Sequence, residues 1–392
     1  MMQKILLFFI SLFLLSISQA QEIQLSENAE ISVLTVGPGP SLNDAFGHNA
    51  FRIKDPKNGI DVTYGYGEYD FDAPNFYLKF AQGKLNYLIS KADFNRFYQV
   101  YRYYNRSIKE QTLNLSEAEK QKLYDYLVNN YKPENRAYLY DFFFDNCATK
   151  IKDVARVTLN NNIQFNLPKD YKEATFRTMI QKNLNRNSWG SLGIDVALGS
   201  VIDKQATAED HMFLPKNIYA FFENATIKNG EEPLVKNSQI IYTKREVPVT
   251  NSFFTSPLFI LGLVGLFIMY ITYKDYKNTT QSKWLDVTLF SLTGIIGIFI
   301  LLLWFATDHK GTHQNYNLLW AFALNILAIG QLFKKKVSGW FIKYIKLLVI
   351  LLCLLTLHWI IGVQVFAIGL IPLLIALGIR YLFLVKHYST DQ

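Results

Sequence analysis

The 392-residue chain has two cysteines, and one of them, Cys147, heads an amphipathic segment in YDFFFDNCATKIKD (residues 140–153). Asp145 or Asn146 is a natural N-cap, and Ile151, Val154 and Ala155 follow at helical spacing. The sequence therefore predicts Cys147 in the first turn of a helix. A thiol there faces free backbone N–H groups and the positive end of the helix dipole, which favour a thiolate and offer an oxyanion hole. Nucleophilic chemistry also needs a base. Between residues 21 and 252 the only histidines are His48 and His211. His211, in polar TAEDHMFLP, reads as a surface loop residue. His48, in DAFGHNAFRI, follows a glycine at the mouth of a strand and is the better partner.

The elements around this pair are legible as pattern. ISVLTVG (31–37) reads as a strand stopped by Gly37-Pro38-Gly39-Pro40, and residues 48–67 read as a hairpin. KADFNRFYQVYRYY has helical spacing, RSIKEQTLNL alternates as a strand, and Ser116-Glu117-Ala118-Glu119 opens a helix to about Tyr131. Residues 160–230 suggest short helices and loops, and PLVKNSQIIYTKREVPV a last hairpin and linker. On the strand after His48, Thr63, Tyr64, Tyr66 and Glu68 are candidates to orient the imidazole. Arg52 shares the His48 face by alternation and is suited to a phosphate, a carboxylate or a structural ion pair.

Lys4, the apolar run Ile5–Ile17 and Ser18-Gln19-Ala20 form a secretory signal, with Gln21 as the mature start. Residues 21–252 are then exported. Five apolar stretches follow, at about 257–273, 285–306, 317–333, 345–361 and 365–385. Each is long enough for a hydrocarbon core of about 30 Å. Residues 253–392 carry 11 Lys/Arg against 4 Asp/Glu, whereas residues 1–252 carry 29 against 28. With the N-terminal part outside, the inner segments hold Lys274, Lys277, Lys283, Lys334–Lys336, Lys343, Lys346, Arg380 and Lys386, and the outer loop 307–316 holds only Lys310. This is the positive-inside pattern, so the basic charge orients a membrane protein and does not signal nucleic acid. Cys147 and Cys353 fall in different phases, which excludes a disulfide between them. In the outer loop, His309 and Asn315 are candidates for a lip that admits lipid headgroups, alongside His313 and Asn317. Two histidines four apart in a loop do not make a metal site, and no metal or cofactor is expected.

A histidine on a strand, a second strand, then a helix with the cysteine is the chain order of the circularly permuted papain-like group, related to NlpC-type peptidases. FGHNAFRI, YGYGEYDFD, NFYLKFAQGKLNYLIS, YDFFFDNCATKIKD, LGSVIDKQATAEDHMFLP and the C-terminal spans together resemble the Lnb-type membrane proteins of Bacteroidetes. The resemblance implies an α+β, permuted papain-like domain in the periplasm (residues 21–252), followed by a five-helix bundle (253–392) in the bacterial inner membrane. It implies lipoprotein N-acylation, with Cys147 as nucleophile and His48 as base. The related lecithin:retinol acyltransferases have an Asn-Cys pair like Asn146-Cys147, but they use a second histidine that this chain lacks.

Three functions compete. An acyltransferase would move a chain from a phospholipid or lipoprotein ester, through a Cys147 thioester, to the N-terminal amine of a lipoprotein. A thiol hydrolase of the same fold, a phospholipase or cell-wall peptidase, would hand the chain to water or cut a peptide. A non-enzymatic membrane sensor would need neither residue. The 24 Tyr and 30 Phe suit an acyl groove.

Overall fold

A computed structural model of the protein describes residues 23–247 and 253–390. The expected signal peptide, its cleavage point and the junction 248–252 lie outside the described residues.

Alternating side chains make seven strands: β1 (Glu30–Val36), β2 (His48–Asp55), β3 (Ile60–Tyr69), β4 (Asn86–Asp93), β5 (Ile108–Leu113), β6 (Ala137–Leu139) and β7 (Val235–Tyr242). They form one sheet in the order β7-β5-β1-β2-β3-β4-β6, every neighbouring pair antiparallel. The β2–β3 hairpin turns at Gly59, whose φ of 64° suits glycine. Four helices follow the strands: α1 (Phe76–Gln82), α2 (Phe94–Tyr103), α3 (Glu117–Tyr131) and α4 (Cys147–Thr158). Both sheet faces are covered. Val33, Phe51, Ile53 and Tyr64 pack with Ala148, Ile151, Val154 and Ala155 of α4, while Leu34, Val36 and Ala50 pack with Phe97 of α2. The capping box at Ser116 and the helix start at Cys147 fall where the sequence predicts them.

Beyond α4 come α5 (Phe176–Gln181), α6 (Trp189–Ala197) and α7 (Pro215–Asn224). The expected last hairpin does not form. Val235–Tyr242 adds alone to the free edge of β5, and Glu232–Pro233 pairs instead with Thr226–Ile227. An open edge on β5 leaves unpaired backbone groups, and β7 satisfies them.

The C-terminal part contains four helices long and apolar enough to cross a membrane: α8 (Pro257–Asn278), α9 (Lys283–Phe305), α11 (Gly339–Ile360) and α12 (Ile371–Thr390, with the turn Ile368–Leu370 before it). The expected third span is not a continuous helix. It is a 3-10 turn at Tyr316–Leu319, an irregular stretch, and the eight-residue α10 (Asn325–Leu332). Eight α-helical residues rise only about 12 Å. The segment nevertheless runs from Tyr316, stacked edge-on against His358 at the end of α11, to Lys334–Lys336, which share a cavity with Lys283. Hydropathy registers the apolar length but not the break, which is held by protein rather than lipid. Gly294 and Gly297 of α9 let its backbone approach closely: a Cβ on Gly297 would lie 2.6 Å from the Ala323 nitrogen. Asn325 donates to Thr293 Oγ1 (2.8 Å) and accepts from Tyr344 Oη (2.6 Å).

Arg380 is not one of the free inner cations. It is fully buried and bonds Asp286 (2.6 Å) and Asp275 (2.7 Å), joining α12 to α8 and α9.

Two units pack into one body at the outer loop. Gly199 N–H donates to Gly311 O, and Ser200 N–H to Gln314 O, both at 3.0 Å. Asn315 and Asn317, both fully buried, donate to carbonyls at the end of α6.

Candidate active site

Cys147 is the first residue of α4, and Asn146 caps it in extended geometry. The Asn146 side-chain oxygen accepts from Ala148 N–H (2.7 Å) and Thr149 N–H (3.0 Å). Its nitrogen donates to Phe142 O (2.6 Å) and Phe213 O (2.9 Å). Every polar atom of this amide is therefore used to fix the helix start, and its role is architectural. Burial pushes the Cys147 thiol above its usual range; the N–H groups of Asn49, Ala148 and Cys147, and the Arg106 charge, pull the other way without prevailing. The sequence argument expects a stabilised thiolate. In the fold the pKa is raised instead, because burial costs the anion more than a helix start returns.

His48 opens β2, directly before Asn49, whose backbone N–H favours the Cys147 anion. Its pKa is lowered to about 4, chiefly by burial and then by the Arg106 charge, with Asp44 opposing. The imidazole is thus neutral at physiological pH and free to take a proton. Its ring lies 6.3 Å from that of Tyr101. On the other side it rests over Gly65, where a Cβ would stand 3.1 Å from Nε2 and 3.5 Å from Ser90 Oγ. Gly65 makes room for the ring.

Of the four candidates for a third member, three are committed elsewhere and Glu68 is exposed. Thr63 Oγ1 donates to Ala92 O (3.3 Å). Tyr64 packs on Tyr131 in the core, on the opposite face from His48. Tyr66 donates to Asn130 Oδ1 (2.6 Å), and Glu68 is exposed beyond a bulge. Arg52 is spent as well: it bonds Asp61 and Glu110 and lies 3.3 Å over the Phe94 ring. The residue that pattern reading missed is Arg106, at the mouth of β5. It donates to Gly37 O (2.9 Å) and Asp44 Oδ1 (2.8 Å), and its charge acts on both His48 and Cys147. A lone cation just before an alternating strand was its only trace in the sequence.

Two other expectations are corrected. His211 is buried, not on the surface; its short helix supplies the Phe213 carbonyl that holds Asn146. Asn315 is part of the clasp to α6 rather than a lip. His309 does reach a cavity wall, with Nε2 3.1 Å from Phe80 O of α1.

A cavity of about 600 Å³ lies along the seam between the two units. Phe46, Phe142, Phe143, Ile194 and Leu198 line it from the N-terminal part, and Leu303 and His309 from the outer end of α9 and its loop. A second cavity of about 270 Å³ shares Leu42, Phe46, Phe80, Phe142 and His309 with it and extends to Tyr87 and Tyr140. Tyr140 stacks on Tyr87 at 4.2 Å, and its pKa is raised by burial and by its neighbour Cys147. The apolar lining thus runs from the vicinity of the thiol to the membrane end of the molecule.

These features define a multi-spanning membrane protein whose mixed α+β N-terminal domain buries a thiol at a helix start and meets the membrane part along an apolar groove. The chain belongs to the Lnb family: residues 19–182 match the Lnb N-terminal periplasmic domain and residues 249–391 the Lnb transmembrane domain. The N-terminal domain is therefore periplasmic. No curated protein and no solved structure matches the chain.

Proposed function

We propose that the protein is a lipoprotein N-acyltransferase of the bacterial inner membrane, with a circularly permuted papain-like domain that works through a Cys147 thioester. The observation that carries this reading is the pair of adjoining apolar cavities that run from Tyr140, a neighbour of Cys147, to the outer end of α9. A soluble substrate needs no such path, whereas an acyl chain leaving the outer leaflet does.

In the first half-reaction the neutral His48 imidazole takes the thiol proton as Sγ attacks the donor ester carbonyl. Backbone N–H groups at the start of α4 stabilise the oxyanion. Collapse breaks the C–O bond, and His48 returns the proton to the departing alcohol. In the second, the amine of a lipoprotein N-terminus attacks the thioester, the C–S bond breaks, and the amine's proton passes through His48 back to sulfur. An amide and a free thiol result. The apolar lining keeps water from the thioester meanwhile.

The test is transfer of a labelled acyl chain by the purified protein. Phospholipid alone should leave hydroxylamine-sensitive label on Cys147, and a diacylated lipopeptide with a free amine should convert it to a hydroxylamine-resistant amide. Cys147→Ala and His48→Ala should each abolish transfer, and Cys353→Ala should not. Free fatty acid released equally with and without lipopeptide would make it a phospholipase.

A further inference from the structure

Arg106 is about 5 % exposed, yet among the described residues its Nη2 has no hydrogen-bond partner. Its other donors are engaged: Nε by Gly37 O and Nη1 by Asp44. The guanidinium carbon lies 5.0 Å from the centroid of the Tyr101 ring, which neighbours His48. Buried guanidinium N–H groups are normally satisfied, and a free one whose charge acts on both His48 and Cys147 calls for an anion. The Asp44 side chain is 38 % exposed, so solvent weakens it as a counter-ion and a net positive field remains.

The loop that holds Arg106 has two sides. Gly37 and Asp44 grip the guanidinium, while Leu42 and Phe46 of the same loop line the apolar groove. Gly39 allows the close wrapping, since a Cβ there would lie 2.7 Å from Asp44 Cβ and 3.2 Å from Arg106 Cδ. An amphipathic ligand matches this division, with its chain on one side of the loop and its anion on the other.

We propose that Arg106 anchors the phosphate of a glycerophospholipid acyl donor. The inference rests on the acyl-transfer reading and narrows it, because the alternative donor, a lipoprotein's diacylglyceryl ester, is uncharged and the accepting amine is a cation. Only the phospholipid brings an anion that Nη2 can take, through a charge-assisted N–H···O bond.

The experiment uses the full chain in detergent micelles, in a Cys353→Ala background. Labelling of Cys147 is compared with acyl-labelled phosphatidylethanolamine and with diacylglycerol of the same chains. Arg106→Gln should lower kcat/KM for the phospholipid about ten- to a hundredfold, as loss of a charge-assisted bond implies, and change that for diacylglycerol less than about twofold. Equal losses on both donors would overturn the proposal and make Arg106 a support for the oxyanion or the fold.

A second measurement does not depend on acyl transfer. sn-Glycerol 3-phosphate and inorganic phosphate should slow alkylation of Cys147 in the Arg106 protein, and glycerol should not. Absence of protection would overturn the anion site even if labelling proceeds. Protection without labelling from either lipid would support the anion site while refuting the acyl-transfer reading on which its donor assignment depends. Should Arg106→Gln fail to accumulate, Asp44→Asn keeps the cation and frees Nη1. It should strengthen the protection, and weaker protection would count against the proposal.

Discussion

Cys147 and His48 rest as a neutral thiol and a neutral imidazole, and this sets how each responds to pH. The Cys147 pKa is raised by burial, so its thiolate is a minor species at neutral pH. Alkylation by a thiolate-selective reagent in a Cys353→Ala protein should rise about tenfold per pH unit from 6 to 8. A plateau across the neutral range would mean a preformed thiolate–imidazolium pair. His48 has its pKa depressed from 6.5 to about 4, so between those values the unfolded chain binds more protons than the folded one. Its contribution to stability is therefore complete above pH 6.5 and is lost as pH falls through about 4. Acylation should stay level down to about pH 5, where an ordinary histidine would already be protonated.

At the scale of elements, the start of α4 is the part on which the site depends. The Asn146 side chain makes four hydrogen bonds, two with the first turn of the helix and two to the carbonyls of Phe142 and Phe213. Asn146→Ala removes the cap and leaves buried carbonyls unpaired, at a cost of about 2–4 kcal/mol. Asn146→Ser keeps an acceptor for the helix and should recover about 1 kcal/mol of that. Melting of the purified proteins checks both. A melting point for Asn146→Ala equal to wild type would show that the turn is held by other means.

The whole molecule depends on buried polar contacts inside its membrane part. Arg380 with Asp275 and Asp286 is an ion triad out of contact with solvent. Arg380→Met leaves two buried carboxylates without their cation and should destabilise by about 3–5 kcal/mol. The expected result is a sharp fall in protein accumulated in the membrane. Removing all three charges, with Asp275→Asn and Asp286→Asn added, should restore most of it. Normal accumulation of the single variant would show the triad to be dispensable.

Local chemistry made much of this protein readable from its sequence. A cap and helical spacing announce α4 with Cys147 at its head, alternation announces the β2–β3 hairpin with His48 at its mouth, and the lysine distribution orients the apolar segments. Each signal is carried by residues close together in the chain. Contacts between distant residues decided the rest. Burial from every side, summed only in the folded domain, made the thiol neutral. Sheet register placed Gly65 rather than Thr63, Tyr64, Tyr66 or Glu68 beneath the imidazole. The third apolar segment is broken where Ala321–Ala323 pack on Gly297 and Ile326 packs on Gly294, although its hydropathy matches that of a continuous helix. Arg106 and Arg380 are ordinary basic residues in the sequence. One acquires a free buried N–H and the other two carboxylates only because strands and helices far apart in the chain meet around them.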